Sequence, residues 1–454
     1  MSNTSPLLDP AVVQRLAGTL SARDTWPRHA LLDIQRERLS GLLAHAVAES
    51  RYYRDTFSTV RHGASLSDLP VLTKATLMEQ WHRIVTDPRL TLRAVEAHLA
   101  GPHCGELVLG EYRAFATGGT TGERSIVVYD RTAWLDGMGN VVRWLRTMGA
   151  KPDSRLVGIG APTPLHVTNR AFAELQAGRA GAPRLSVVTP VSELVGRLNA
   201  YQPEVIFTYA SFARRLVEEQ QAGRLRIHPD RIVSTAEVLE PEVRRQVHDT
   251  WNARVLNSYG TTEAGLLGSE CDSSTGVHIA EDMIVFEVVD EENRPVPDGV
   301  PGAKVLMTNL FNRVLPLIRY ELSDIATLDR GNCACGRPYA RVTAIDGRRE
   351  DYMTLPANGG GQIRLHAARL RAPLAGVPGL RQYQLVPMME RLALRLSVRD
   401  DAAVETTKAL ATEVVRAALR SAGVDVMVTT EVVDRIERAG TGAKEKLVAA
   451  APTV

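Results

Sequence analysis

Ala116-Thr-Gly-Gly-Thr-Thr-Gly-Glu123 is the stretch on which the fold reading turns. Its three glycines let backbone approach a ligand closely and adopt positive φ. Its three threonines offer hydroxyls, and consecutive N–H groups in such a turn form a nest for an anion such as phosphate. The competing reading is a Gly/Thr surface turn. No Lys-Ser or Lys-Thr follows the last glycine, and a strand rather than a helix is expected next, at Ser125–Tyr129. Both features separate the stretch from the GxxxxGK[ST] loop, and it is not the dinucleotide GxGxxG fingerprint.

Downstream, the pattern alternates. Arg131–Met148 reads as a helix with Trp134, Met138, Val141, Val142 and Leu145 on one side, and Leu156–Ile159 as a strand. Leu185–Val188, Val205–Tyr209, Arg231–Ser234 and Arg254–Asn257 repeat the theme with helices between them. Strands alternating with helices predict an α/β fold with parallel sheet covered on both faces. Upstream, residues 1 to 100 read as mostly helical, with apolar residues at helical spacing in Ile34–Ser50. Met283–Val289 and Lys304–Thr308 predict a β-rich part, and Gly331–Arg349 reads as a break. The last hundred residues read as a small α+β unit: strands at Gln382–Val386, Leu392–Val398 and Val424–Val433, and a helix at Ala402–Ala422. The division expected is a large domain over 1–346 and a small one over 347–454, joined near 345–352.

Three further segments carry chemistry. Asn257-Ser-Tyr-Gly-Thr-Thr-Glu-Ala-Gly265 follows a predicted strand. The ring of Tyr259 could stack on adenine, a threonine hydroxyl could bond phosphate, and Glu263 could hold Mg2+. Asp324 follows a strand, where it could accept hydrogen bonds from ribose hydroxyls. Gly442-Ala-Lys444 puts a lysine on a loop, in reach of a developing negative charge.

Together these residues resemble the adenylate-forming superfamily of acyl-CoA synthetases, adenylation domains and luciferases, in its phenylacetate–CoA ligase-like branch. Tyr52-Tyr-Arg54, Leu69-Pro-Val-Leu-Thr-Lys74 and Leu315-Pro-Leu-Ile-Arg-Tyr320 extend the resemblance over nearly the whole chain. It implies a large adenylate-forming domain with a β-rich subdomain and a small mobile C-terminal domain. It also implies that Thr117, Gly118, Gly119, Thr120, Thr121 and Gly122 wrap the ATP phosphates, and that Ala236 and Glu237 line the adenine site. Tyr259 would stack on adenine, Thr262 contact the α-phosphate, Glu263 bind Mg2+, Asp324 hold the ribose with Arg348 nearby, Glu350 act as hinge, and Lys444 stabilise the charge as carboxylate attacks. Four positions depart from the family: Glu123 for Lys, Ser323 and Ala443 for Gly, and His366 for Pro. The function implied is ATP-dependent activation of a small aromatic carboxylic acid as acyl-AMP, then transfer to CoA. The alternative acceptor is a carrier-protein thiol, an amine or another nucleophile. A homodimer fits relatives of this type.

His166, in Ala161-Pro-Thr-Pro-Leu-His, could line the acyl pocket, and Tyr209 and Ser211 sit at a strand end, where open α/β sheets place ligands. Cys271, His278, Cys333 and Cys335 form a Cys3His set suited to a structural Zn2+. The alternatives are a redox pair or ordinary loop cysteines.

Composition bounds the rest. With 454 residues and a formal charge of +2, nothing argues for nucleic acid or an anionic membrane as partner. No apolar run is long enough for a membrane span, no secretory signal is evident at the N-terminus, and four cysteines make a disulfide scaffold unlikely. A cytoplasmic location is expected.

Overall fold

The structure is a computed structural model. It describes residues 9–58, 65–117, 125–176, 181–388, 391–399, 402–436, 438–439, 444–445 and 448–449. Thr117 falls within these residues, whereas Gly118, Gly119, Thr120, Thr121 and Gly122 lie outside them, as do the side chains of Glu350 and Lys444.

The chain begins with helices, among them Pro10–Ala22 and Arg28–Glu49. The first starts where Asp9 accepts hydrogen bonds from the N–H groups of Ala11 and Val12, with proline at the first helical position. It packs on the helix Arg131–Thr147 so closely that a Cβ at Gly139 would stand 2.8 Å from Leu16 Cβ. Asp130 caps that second helix through the Ala133 N–H.

A nine-stranded mixed sheet forms the centre. From one edge its strands are Asp324–Asp329, Arg341–Arg348, Ser274–Ile279, Gly265–Cys271, Arg254–Thr261, Arg231–Thr235, Val205–Thr208, Leu156–Gly160 and Leu185–Ser186. The last five are mutually parallel, and the pairs before them are antiparallel. Leu156–Gly160 and Val205–Thr208 are buried at every position, as strands with both faces covered must be. The strands Ile284–Val289, Lys304–Asn309 and Tyr320–Leu322 make a separate antiparallel sheet.

The reading of Gly331–Arg349 as a break needs correction. Arg341–Arg348 is a strand paired on both sides, with Asp324–Asp329 and with Ser274–Ile279. Its ladder is set by partners distant in sequence, and Val342 and Gly347 alone of its residues are buried, so no apolar alternation marks it.

Beyond it, Tyr352–Pro356 pairs with Gln362–His366, and Leu380–Pro387, Arg391–Val398 and Met427–Val432 form a three-stranded sheet under the helix Val404–Ser421. Apolar residues from Met353 to Val448 form a core of their own, distinct from the two cores of the preceding chain. Lys444 is not on a loop: its backbone opens the short strand Lys444–Glu445, opposite Ala439. No helix among the described residues is long and apolar enough to cross a membrane.

Candidate active site

The parallel strands end at one cavity of about 1600 Å3. Thr117, His166, Tyr209, Ser211, Ala236, Glu237, Tyr259, Thr262, Glu263, Asp324 and Arg348 all line it. Such a position, outside the C-terminal ends of parallel strands, is where open α/β sheets hold ligands.

One end is built around Glu263. Its carboxylate is buried, and Ser125 Oγ and Tyr320 Oη both donate to Oε1, each at 3.2 Å. The Glu263 carbonyl accepts from Asn309 Nδ2 at 3.0 Å, and the neighbouring Thr262 carbonyl accepts from Tyr129 Oη at 2.7 Å. Thr117 closes this end: its N–H donates to the Ser125 carbonyl and its Oγ1 accepts from the Ser125 N–H, both at 2.9 Å. Burial pushes the Tyr129 and Tyr320 phenols well above their ordinary value, with the Glu263 charge adding to it, so both stay protonated donors.

The next part is a strained turn. Ala236 has φ +63°, and the Glu237 N–H donates to the Thr235 carbonyl at 2.8 Å, two residues back. A three-residue turn with positive φ at a non-glycine centre is costly, on the order of 1–3 kcal/mol. Glu237 pins it by accepting from Ser211 N–H at 2.8 Å and Ser211 Oγ at 3.1 Å, in the first turn of the helix Ala210–Gln221.

At the other end, Tyr259 Oη donates to Asp324 Oδ2 at 2.7 Å, and Arg348 Nε stands 3.4 Å from Asp324 Oδ1. Burial, then the Asp324 charge, holds the Tyr259 phenol protonated. Tyr259 and Asp324 meet although three strands stand between their own, Arg254–Thr261 and Asp324–Asp329, in the sheet. His366 Nε2 lies 2.9 Å from the Arg348 carbonyl oxygen.

Several lining residues had no role assigned from sequence. Lys74 opens a helix whose N-cap is Thr73, and a bridge between Leu72 and Tyr320 carries it to the Glu263 end. Tyr320, Tyr129, Arg214 and Arg371 also line the cavity. Lys74 and Tyr320 each close one of the segments that carry the resemblance, which was the available signal.

The Cys271, His278, Cys333 and Cys335 ligand atoms lie within 4.8 Å of one another, and none of the four residues lines the cavity, although Glu270 and Val277 beside them do. Cys271 Sγ and Cys333 Sγ are 3.8 Å apart, and Cys335 Sγ is 3.4 Å from His278 Nε2. No disulfide joins them. Metal–sulfur bonds of about 2.3 Å in a tetrahedron place sulfurs about 3.8 Å apart, so the cluster has the dimensions of a four-ligand zinc site. Burial pulls His278 down to about 4, keeping its imidazole neutral as a ligand must be.

The chain is similar to known proteins in sequence and in fold. The family described as AMP-binding enzyme matches residues 115–307. A phenylacetate-coenzyme A ligase of Thermus thermophilus is 28% identical over 408 residues, covering 84% of this chain and 82% of that protein. The phenylacetate-coenzyme A ligase of Escherichia coli is 27% identical over 346 residues, 71% of this chain and 72% of that one. Among solved structures, a 2-hydroxyisobutyryl-CoA ligase in its postadenylation state with 2-HIB-AMP aligns with a TM-score of 0.75 at 22% identity, over 95% of this chain and 91% of that chain.

Proposed function

We propose that the chain is an adenylate-forming enzyme of the phenylacetate–CoA ligase-like branch, which converts a small carboxylic acid and ATP to acyl-AMP and pyrophosphate, then passes the acyl group to CoA. The observation that carries the reading is the single cavity joining the Thr117–Thr262–Glu263 end to the Tyr259–Asp324–Arg348 end, with apolar walls beside both.

The protein has little covalent chemistry to perform. It must hold a carboxylate oxygen in line with the α-phosphorus and neutralise the departing pyrophosphate. Tyr259, Asp324 and Arg348 hold the nucleoside, the strained turn at Ala236 presents backbone to the base, and Thr117 with the following glycines and Thr262 receive the phosphates. Glu263, fixed through Oε1, keeps Oε2 for Mg2+, which would offset phosphate charge. Lys74 lies at the same end, where the loop carries Glu123 instead of the family's lysine, and it supplies the cation there. Lys444 stabilises the charge that develops as the acid attacks, and the segment at Glu350 is the hinge between domains 1–346 and 347–454.

The Cys271–His278–Cys333–Cys335 cluster holds a structural Zn2+, and its reduced thiols fit a cytoplasmic protein. Metal analysis of protein purified without chelators is expected to give one zinc per chain, and its absence would remove zinc from the proposal.

A panel of carboxylic acids assayed by ATP–pyrophosphate exchange, then for thioester with CoA present, tests the whole reading. Exchange with no acid overturns it. Exchange without CoA thioester moves the acceptor to a carrier-protein thiol or another nucleophile.

A further inference from the structure

The helix Arg131–Thr147 contains two interior glycines, and they have different reasons to be there. Gly139 meets the helix Pro10–Ala22, where a Cβ would press against Leu16 at 2.8 Å, so only glycine fits. Gly137 has no such constraint. A Cβ there would meet the Phe311 ring at 3.6 Å, an ordinary contact. Its backbone is helical, so it gains nothing from glycine's conformational freedom, and glycine inside a helix is destabilising relative to alanine.

What Gly137 does have is a place in the cavity wall, beside Trp134 and Met138. The helix Val167–Leu175, joined to this one by the hydrogen bond from Trp134 Nε1 to Glu174, has no fully buried residue, and its Ala171 and Phe172 line the same cavity. That surface is one a ligand would cover. The Gly137 helix starts beside Tyr129, whose hydroxyl holds the Thr262 carbonyl. An acid whose carboxylate meets the α-phosphate near Thr262 therefore runs its tail along this helix. Asn140 donates to the Leu266 carbonyl at 2.6 Å and Arg143 pairs with Asp282, so the wall cannot retreat.

We propose that Gly137 is a specificity-determining residue: the missing side chain opens a slot between Trp134, Phe172 and Phe311 that admits a flat aryl or arylacetic group, and any larger residue closes it. This rests on the reading of the chain as an acid-activating ligase.

The test uses the full chain and ATP–pyrophosphate exchange with benzoate, phenylacetate, propionate and acetate. Gly137→Leu is expected to lower kcat/KM for the aryl acids relative to acetate by at least about ten-fold, Gly137→Ala to shift it the same way by less, and Phe311→Leu to favour bulkier aryl acids. Thermal melts establish that each variant folds. Wild-type exchange with aryl acids and unchanged selectivity in folded Gly137→Leu overturns the proposal, as does an equal loss for all four acids. Wild-type protein that exchanges with no acid overturns the ligase reading itself, a result distinct from the other two.

Discussion

Glu263 shows how a single side chain is prepared for work. Two hydroxyls end on one of its oxygens, so the carboxylate cannot rotate away when the cavity fills. Tyr320→Phe removes one of those donors without removing the ring. A neutral-to-charged hydrogen bond of this kind contributes about 1.5–3 kcal/mol, so ATP–pyrophosphate exchange should fall about ten-fold or more. Glu263→Gln should fall further and lose its response to Mg2+ concentration. A Tyr320→Phe enzyme with unchanged rate would show that Glu263 needs no positioning. Glu263 itself was legible in sequence, since a carboxylate two residues after Gly-Thr stands out. Its partners were not, because Ser125 and Tyr320 lie 138 and 57 residues away in the chain. The Ala236 turn was equally hidden: alanine carries no sign of a positive φ.

Among elements, the helix Arg131–Thr147 depends on charge as much as on its apolar face. Arg143 is fully buried and shares the buried Asp282 with Arg23 of the N-terminal helices. Despite burial, these two guanidinium groups hold the Asp282 carboxyl below its usual range. Its folded pKa is depressed, so the stabilisation is complete above the unfolded value of about 3.9 and is lost as pH falls through the folded one. Asp282→Ala leaves two buried cations unpaired and should cost about 3–5 kcal/mol in denaturant unfolding at pH 7. The difference from wild type should shrink only in strong acid. A cost under about 1 kcal/mol would mean that Arg143 finds another partner. Asp282 and Arg143 give no sequence signal, since they are single charges 139 residues apart. The parallel strands, by contrast, were visible as apolar runs because both their faces are covered. The strand Arg341–Arg348 has few buried side chains and was invisible for that reason.

At the scale of the whole molecule, the part of the chain that holds the separate core over Met353–Val448 is tied to the rest by several ion pairs. Arg371 Nε lies 3.8 Å from Glu240 Oε1, while Arg349 NH2 and Arg364 NH1 reach Glu291 at 2.9 and 3.8 Å. Glu218 is faced by Arg381 and Arg399, and burial raises both Glu218 and Glu240 above the usual carboxylate range. Arg371, Gln382 and Tyr383 line the cavity, so this arrangement helps to close it. If the small unit rotates about the segment at Glu350 between half-reactions, these pairs must break each time. The Arg349, Arg364 and Glu291 side chains are long and partly exposed and suit that role, because pairs of this kind are weak enough to release. Glu291→Ala drops two arginines at once. Together with Glu240→Gln it should lower ATP–pyrophosphate exchange about three- to ten-fold while leaving thioester formation from preformed acyl-AMP unchanged or faster. Single-turnover measurement of the two half-reactions separates them. An equal fall in both would assign the pairs to folding alone, whereas the expected split makes them the contacts that hold the adenylating arrangement until the acyl-AMP has formed.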